Sequence, residues 1–97
     1  MPVIAIGTLR EFWNRHPDAE IPLRAWYAQA SRAAWRSPAD IKKAHRNASF
    51  LVDNRVVFNI QGNDYRLVAA VHCNRAMIFI RFIGNHREYD RIDAETI

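Results

Sequence analysis

The apolar positions change their spacing halfway along the chain. Val3–Ile6 is a short apolar run and predicts a first strand, which Gly7 breaks. Thr8-Leu9-Arg10-Glu11 then has the form of a capping box. In that motif the Thr8 hydroxyl takes the Glu11 amide proton while the Glu11 carboxylate reaches back to Thr8 N–H. A first helix is therefore expected to run to about Arg15. It stops before Pro17, because a residue preceding proline is pushed out of the helical region. Asp18 or Pro22 opens a second helix, on which Leu23, Trp26, Tyr27, Ala30 and Ala34 form one apolar face. Ser37 and Pro38 mark a third start, as N-cap and first helical residue of a short helix over Pro38–His45.

From Arg55 onward the period becomes that of strands. Arg55–Ile60 (RVVFNI), Tyr65–Cys73 (YRLVAAVHC) and Ala76–Ile83 (AMIFIRFI) are rich in β-branched and aromatic residues. Gln61-Gly62-Asn63-Asp64 and Asn74-Arg75 are turn signals between them, so the three runs predict an antiparallel meander. Alternation puts Tyr65, Leu67, Ala69, Val71 and Cys73 on one face of the middle strand. Arg66, Val68, Ala70 and His72 lie on the other. The order β-α-α-β-β-β, with the short extra helix, predicts an α+β fold. It is a small antiparallel sheet with the N-terminal helices packed on one face, which leaves the other face for Arg66, Arg81 or both. His86–Asp90 follows as a polar, aromatic stretch.

Length and composition narrow the class. With 97 residues, 49% hydrophobic and 25% charged, residues 1–97 fit one globular domain. Cys73 is the only cysteine, which excludes an intramolecular disulfide framework and a multi-cysteine zinc site and suits a reducing cytosol. No apolar run is long enough to span a bilayer, and the N-terminus has neither the basic region nor the cleavage site of a signal peptide. The net charge is +4, and residues 31–66 carry all of it, with seven cations against three anions. RNA, DNA or an acidic protein satisfies that excess equally.

The candidate chemistry is sparse. No phosphate-binding glycine loop, Ser/His/Asp signature or paired-carboxylate motif is present, and His16, His45, His72 and His86 lack the spacing of a metal site. Arg66 and Arg81 interrupt apolar strands. Each is either a sheet-edge cation lying along the surface or, with the other, part of a phosphate-holding pair. His86, Tyr89 and Asp90 lie within five residues of one another, as a solvated tail or as an acid–base group. Lys42-Lys43-Ala44-His45-Arg46 is a solvated face or an anion-binding patch. Trp13, Trp26 and Trp35 fall at helical positions suited to core packing or a partner interface, and Cys73 suits a buried small hydrophobe.

Three stretches carry a family resemblance. They are Asp40–Lys43 with Ala48–Leu51, Arg55–Asn63 with Tyr65–Val68, and Ile80–Asp90 (IRFIGNHREYD). They resemble the HigB-type toxins of bacterial type II toxin–antitoxin modules, within the RelE-like mRNA interferase superfamily. Members of that family commonly carry Thr before the histidine, where this chain has Asn85. The resemblance implies a RelE-like toxin domain over residues 1–97, acting in the cytoplasm as a ribosome-dependent endoribonuclease that halts translation. It implies metal-independent attack of the RNA 2′-OH on the adjacent phosphodiester, with no cofactor. His86, Arg66, Arg81, Tyr89 and Asp90 would be catalytic, and Lys42, Lys43, Arg46 and Asn63 would bind RNA. The implied partners are a HigA-type helix-turn-helix antitoxin, the ribosome and mRNA. Operator DNA is met only through the antitoxin, and a membrane not at all. Two other readings fit the same residues: a non-catalytic RNA- or DNA-binding module, and an inactive toxin relic that only binds its antitoxin.

Overall fold

The computed structural model describes all 97 residues. The elements are β1 (Val3–Ile4), α1 (Ile6–Arg15), a 3₁₀ turn at Pro17–Ala19, α2 (Glu20–Arg32), α3 (Pro38–Ala44), β2 (Ser49–Phe50), β3 (Arg55–Ile60), β4 (Tyr65–His72), β5 (Met77–Asn85) and α4 (His86–Asp90). The strands form one sheet in the order β1-β5-β4-β3-β2. The meander β3-β4-β5 is antiparallel as expected, β2 adds antiparallel to β3, and β1 lies parallel to β5. No helix is long and apolar enough to cross a membrane.

The helices cover the sheet face predicted for them. Leu9, Phe12 and Trp13 of α1 and Leu23, Trp26 and Ala30 of α2 pack on Phe58, Tyr65, Leu67, Ala69, Val71 and Ile78. All three tryptophans are buried in that core. Phe58 is its aromatic centre. Trp26 and His45 meet its ring edge-on at 5.3 and 4.9 Å between centroids, and Trp35 stacks on it at 6.4 Å.

Several expectations are corrected. Helix α1 begins at Ile6, with Ala5 in the left-handed region (φ 74°) and no side-chain cap. Gly7 and Thr8 are therefore helical, and Thr8 N–H donates to the Ala5 carbonyl instead of starting a capping box with Glu11. Neither Asp18 nor Pro22 starts α2, because the 3₁₀ turn feeds directly into it at Glu20. Ala34 lies beyond α2 and is exposed, and the extended residue Ala33 lets Trp35 take the core position. Ser37 occupies the N-cap of α3 without a side-chain bond, while Asp40 accepts the Arg36 N–H at 3.0 Å.

The second sheet face is not left wholly to arginines. Val57 and Val68 are buried there under Ala94, with Leu51, Phe82, Tyr89, Ile92 and Ile97 packed around them. Arg55 fixes this cover, its Nε donating to the Ile97 carbonyl at 2.9 Å.

Burial sets a pH dependence. Packing against Phe58 and Trp35 desolvates His45 and lowers its pKa below the usual 6.5. Between that lowered value and 6.5 the unfolded chain binds more protons than the fold. Stability is thus fully present above 6.5 and declines as pH falls through that window. We expect a lower urea midpoint at pH 5 than at pH 7.5, and a smaller difference between the two in His45→Gln.

Candidate active site

The sheet end that carries Tyr65 and Asn85 gathers most of the candidate residues. Arg66 sits opposite Asn59 on β3 and Gly84 on β5. Two residues beyond Gly84 the chain turns into α4. Asn85 is its cap: Glu88 N–H donates to Asn85 Oδ1 at 2.8 Å and Asn85 N–H donates to Glu88 Oε1 at 3.0 Å. This reciprocal capping box makes a helix of a stretch for which the sequence pattern predicts no regular element. Asparagine fills the role that a threonine hydroxyl also serves.

Gly84 lets the helix fold back. A Cβ there would stand 2.6 Å from Phe82 Cζ and 3.1 Å from Glu88 Cβ, so any larger residue requires the Phe82 ring to move and α4 to give slightly. The fold-back brings Tyr89 beneath Arg66, whose guanidinium carbon lies 4.7 Å from the phenol ring centroid. Arg66 is half-buried, and its Nε has no hydrogen-bond partner. The structure contains one ion pair, the exposed Arg24–Glu20. Arg66 is thus a partly desolvated cation with no carboxylate beside it. His86, the first residue of α4, is also half-buried, and its Nε2 is likewise unpartnered.

The other candidates are placed differently. Arg81 is the extra residue of a β-bulge, since Val68 pairs with Phe82 and Ala69 with Ile80, and it is exposed. A bulge re-aims a side chain out of the pleat, which explains an arginine inside an apolar strand. Asp90 ends α4, exposed. Asn63 is exposed in the β3–β4 turn, at the same sheet end as Arg66. Lys42, Lys43 and Arg46 lie near the opposite sheet edge, on α3 and the turn after it. Of these, Lys42 is engaged, donating to the Ala48 carbonyl at 2.8 Å and lying 6.0 Å from the Phe50 ring.

One contact next to the site had no local sequence signal. The Tyr65 hydroxyl reaches both Asp18 carboxylate oxygens, at 2.9 and 2.8 Å, across 47 residues. Burial first, then the Asp18 bond, pushes its pKa above 10, so the phenol stays a neutral donor. His16 stacks on Phe12 at 4.3 Å and tilts against Tyr65 at 5.7 Å. This links the α1–α2 corner to the residue beside Arg66. Burial also raises the Cys73 pKa, with the Asp40 charge adding to it, so that thiol stays protonated.

An antiparallel meander under two helices, completed by a short helix folded back on the last strand, is a small α+β fold of RelE-like type. The model of the family described as "HigB_toxin, RelE-like toxic component of a toxin-antitoxin system" matches residues 19–92. The chain belongs to that family, and membership implies an antitoxin partner. It is similar to the mRNA interferase toxin HigB of Escherichia coli K12, at 28% identity over 97% of this chain and 92% of the relative. The mRNA interferase HigB of Escherichia coli O6:H1 strain CFT073 is 24% identical over 95% of this chain and 91% of the relative. The mRNA interferase HigB of Shigella flexneri is 28% identical over 97% and 92%.

Proposed function

We propose that this chain acts as its relatives are named, as an mRNA interferase: an endoribonuclease that cuts ribosome-bound messages and halts translation in the cytoplasm. The observation that carries this reading is Arg66, a half-buried guanidinium held over Tyr89 with no anion of its own. A desolvated cation without a partner costs stability, and a phosphate in the site offsets that cost.

The reaction needs little from the protein. The 2′-oxygen forms a bond to phosphorus, the bond to the 5′-oxygen breaks, and one proton leaves the first oxygen while another reaches the second. Arg66 neutralises the charge that builds on the phosphorane oxygens, where a fixed donor counts most. His86 exchanges a proton through its imidazole. Tyr89 holds the guanidinium plane and offers a ring to a base. Arg81, from its bulge, meets the neighbouring phosphate, and Asp90 orients its surroundings. Lys43, Arg46 and Asn63 hold the RNA backbone; Lys42 adds less, because it already serves Ala48. A HigA-type antitoxin with a helix-turn-helix silences the toxin and brings it to operator DNA.

Induction of the chain alone in bacteria tests the reading. Growth arrest with new message ends supports it; a folded protein that causes no arrest and cuts no ribosome-bound message supports the relic. His86→Ala is expected to slow single-turnover cleavage of a ribosome-bound message by about 10²-fold, with an unchanged circular dichroism spectrum. Cleavage at the wild-type rate would remove His86 from the chemistry.

A further inference from the structure

We propose that Asn59 is a further substrate-contacting residue, whose side-chain amide hydrogen-bonds the ribose 2′-hydroxyl of the nucleotide whose 3′-phosphate lies on Arg66. The RNA identity of the ligand rests on the function proposed above. The placement of Asn59 rests on strand register.

Leu51 N–H donates to the Arg55 carbonyl at 2.8 Å, so the Arg55 backbone faces the β2 side of β3. Alternation along the strand turns the Asn59 backbone the same way. Asn59 and Arg66 are therefore a non-hydrogen-bonded pair of β3 and β4. In such a pair both side chains stand on one face, with their Cβ atoms about 4.5–5.5 Å apart. The face is the one away from α1 and α2, because Phe58 and Ile60 on either side of Asn59 belong to the helix-covered core. One row back on the same face, Val57, Val68 and Phe82 pack with Tyr89 and Ala94. Asn59 and Arg66 form the next row and are only half-buried. Gly84, which pairs with Arg66 from β5, brings no side chain to it. Within the sheet, the side chain directly beside Arg66 is thus an amide.

That amide is free and accessible. Asn54 and Asn85 spend theirs on His72 and on Glu88 N–H. Asn59 makes no hydrogen bond through its side chain, and its amide atoms open to solvent, unlike the sealed Arg66 Nε. The terminal nitrogens of Arg66 are open in the same way. Chemistry then selects the group that Asn59 meets. An uncharged amide adds little to the hold on a second phosphate, but its N–H suits the oxygen of a hydroxyl. The hydroxyl next to a cleavable phosphate is the 2′-OH, whose oxygen must stand about 3–3.5 Å from phosphorus to attack it. A phosphate on Arg66 therefore carries its 2′-oxygen within reach of the neighbouring strand. Asn59 Nδ2 donates to that oxygen, which fixes its place and leaves its own proton free. As the new bond to phosphorus forms, this proton passes to the general base and the departing 5′-oxygen takes another; the amide neither gains nor loses one.

The test uses the full ¹⁵N-labelled chain and reads the Asn59 side-chain amide signals, assigned with Asn59→Ala. The probes are the 3′-monophosphates of adenosine, cytidine and uridine, their 2′-deoxy analogues, and inorganic phosphate. None has a 5′-leaving group, so none is cut. The ribonucleotides should move the amide signals saturably, and the 2′-deoxy analogues should bind roughly tenfold more weakly. Asn59→Ala, and Asn59→Leu with its similar volume, should erase that preference by weakening the ribonucleotides alone. Equal binding of the two sugars by the wild type, a preference that survives in both variants, or no shift with any ribonucleotide overturns the proposal. A shift that follows the base and not the sugar overturns it in favour of a base contact. In single-turnover cleavage of a ribosome-bound message, both variants should be about tenfold slower at saturation, with half-saturation and thermal midpoint unchanged. Cleavage at the wild-type rate also overturns it. A 2′ preference in a chain that cuts no ribosome-bound message would reject the proposed function and leave the Asn59 contact standing. Cleavage without any 2′ preference would do the reverse.

Discussion

Arg66→Ala is expected to lower cleavage of a ribosome-bound message by on the order of 10²-fold or more, the usual cost of losing one fixed donor to a developing oxyanion. The thermal midpoint should stay within a few degrees of the wild type. This pairing of outcomes is the informative part. A residue kept for stability loses both together. Arg66 has no hydrogen bond through Nε and no ion pair, and its one specific contact is the Tyr89 ring. A cation over a half-buried ring contributes about 0.5–2 kcal/mol, and relief of its desolvation works in the opposite direction. Arg66→Lys should recover little cleavage, because an ammonium lacks the planar fork that lies on Tyr89 and meets two phosphate oxygens at once. Single-turnover rates and melting curves on the same preparations decide the matter. Loss of stability in step with rate would make Arg66 a structural residue.

The sequence disclosed the strands of this site more fully than the helix that completes it. Residues Arg55–Ile60 and Tyr65–His72 are rich in β-branched and aromatic residues and are bounded by turn signals, so the strands and the two faces of the middle one are legible, although apolar residues on both faces blur the alternation. The capping pattern occurs twice. Thr8-x-x-Glu11 and Asn85-x-x-Glu88 have the same local form. Only the second is used, because α1 starts two residues earlier, at Ile6, and there Thr8 is already inside the helix. What decides between them is tertiary. Gly84 leaves space for α4 to fold back onto β5, and no local pattern shows that space. Strand β2 leaves no local signal for a related reason: two exposed residues, Ser49 and Phe50, carry no period. The bond between Tyr65 and Asp18 joins residues far apart in sequence, and neither announces the other. The arginines stand out in the sequence because a cation interrupts an apolar run. That signal does not separate Arg66, half-buried in a regular ladder, from Arg81, exposed in a bulge.

Phe58→Ala should give the opposite pattern, a large loss of stability with the chemistry of the folded fraction retained. The ring is 2% exposed and is the common partner of Trp26, Trp35 and His45. Removing a buried phenylalanine typically costs about 3–5 kcal/mol, from lost transfer energy and the cavity left behind. A domain of this size has roughly 5–15 kcal/mol in hand, and each kcal/mol moves its midpoint by about 4–8 °C, so a fall of more than about 10 °C is expected. The rigid rings of Trp26 and Trp35 meet Phe58 from different sides and cannot close the cavity without leaving their own contacts. Phe58→Leu keeps most of the volume and should cost about 1.5 kcal/mol or less. Urea unfolding measures the loss. Cleavage per folded molecule, taken well below the midpoint, should stay near the wild-type value, because Arg66, His86 and Tyr89 lie on β4 and α4 and make no ring contact with Phe58. A cleavage defect in fully folded Phe58→Ala would show that the aromatic core positions the site as well as supporting the fold.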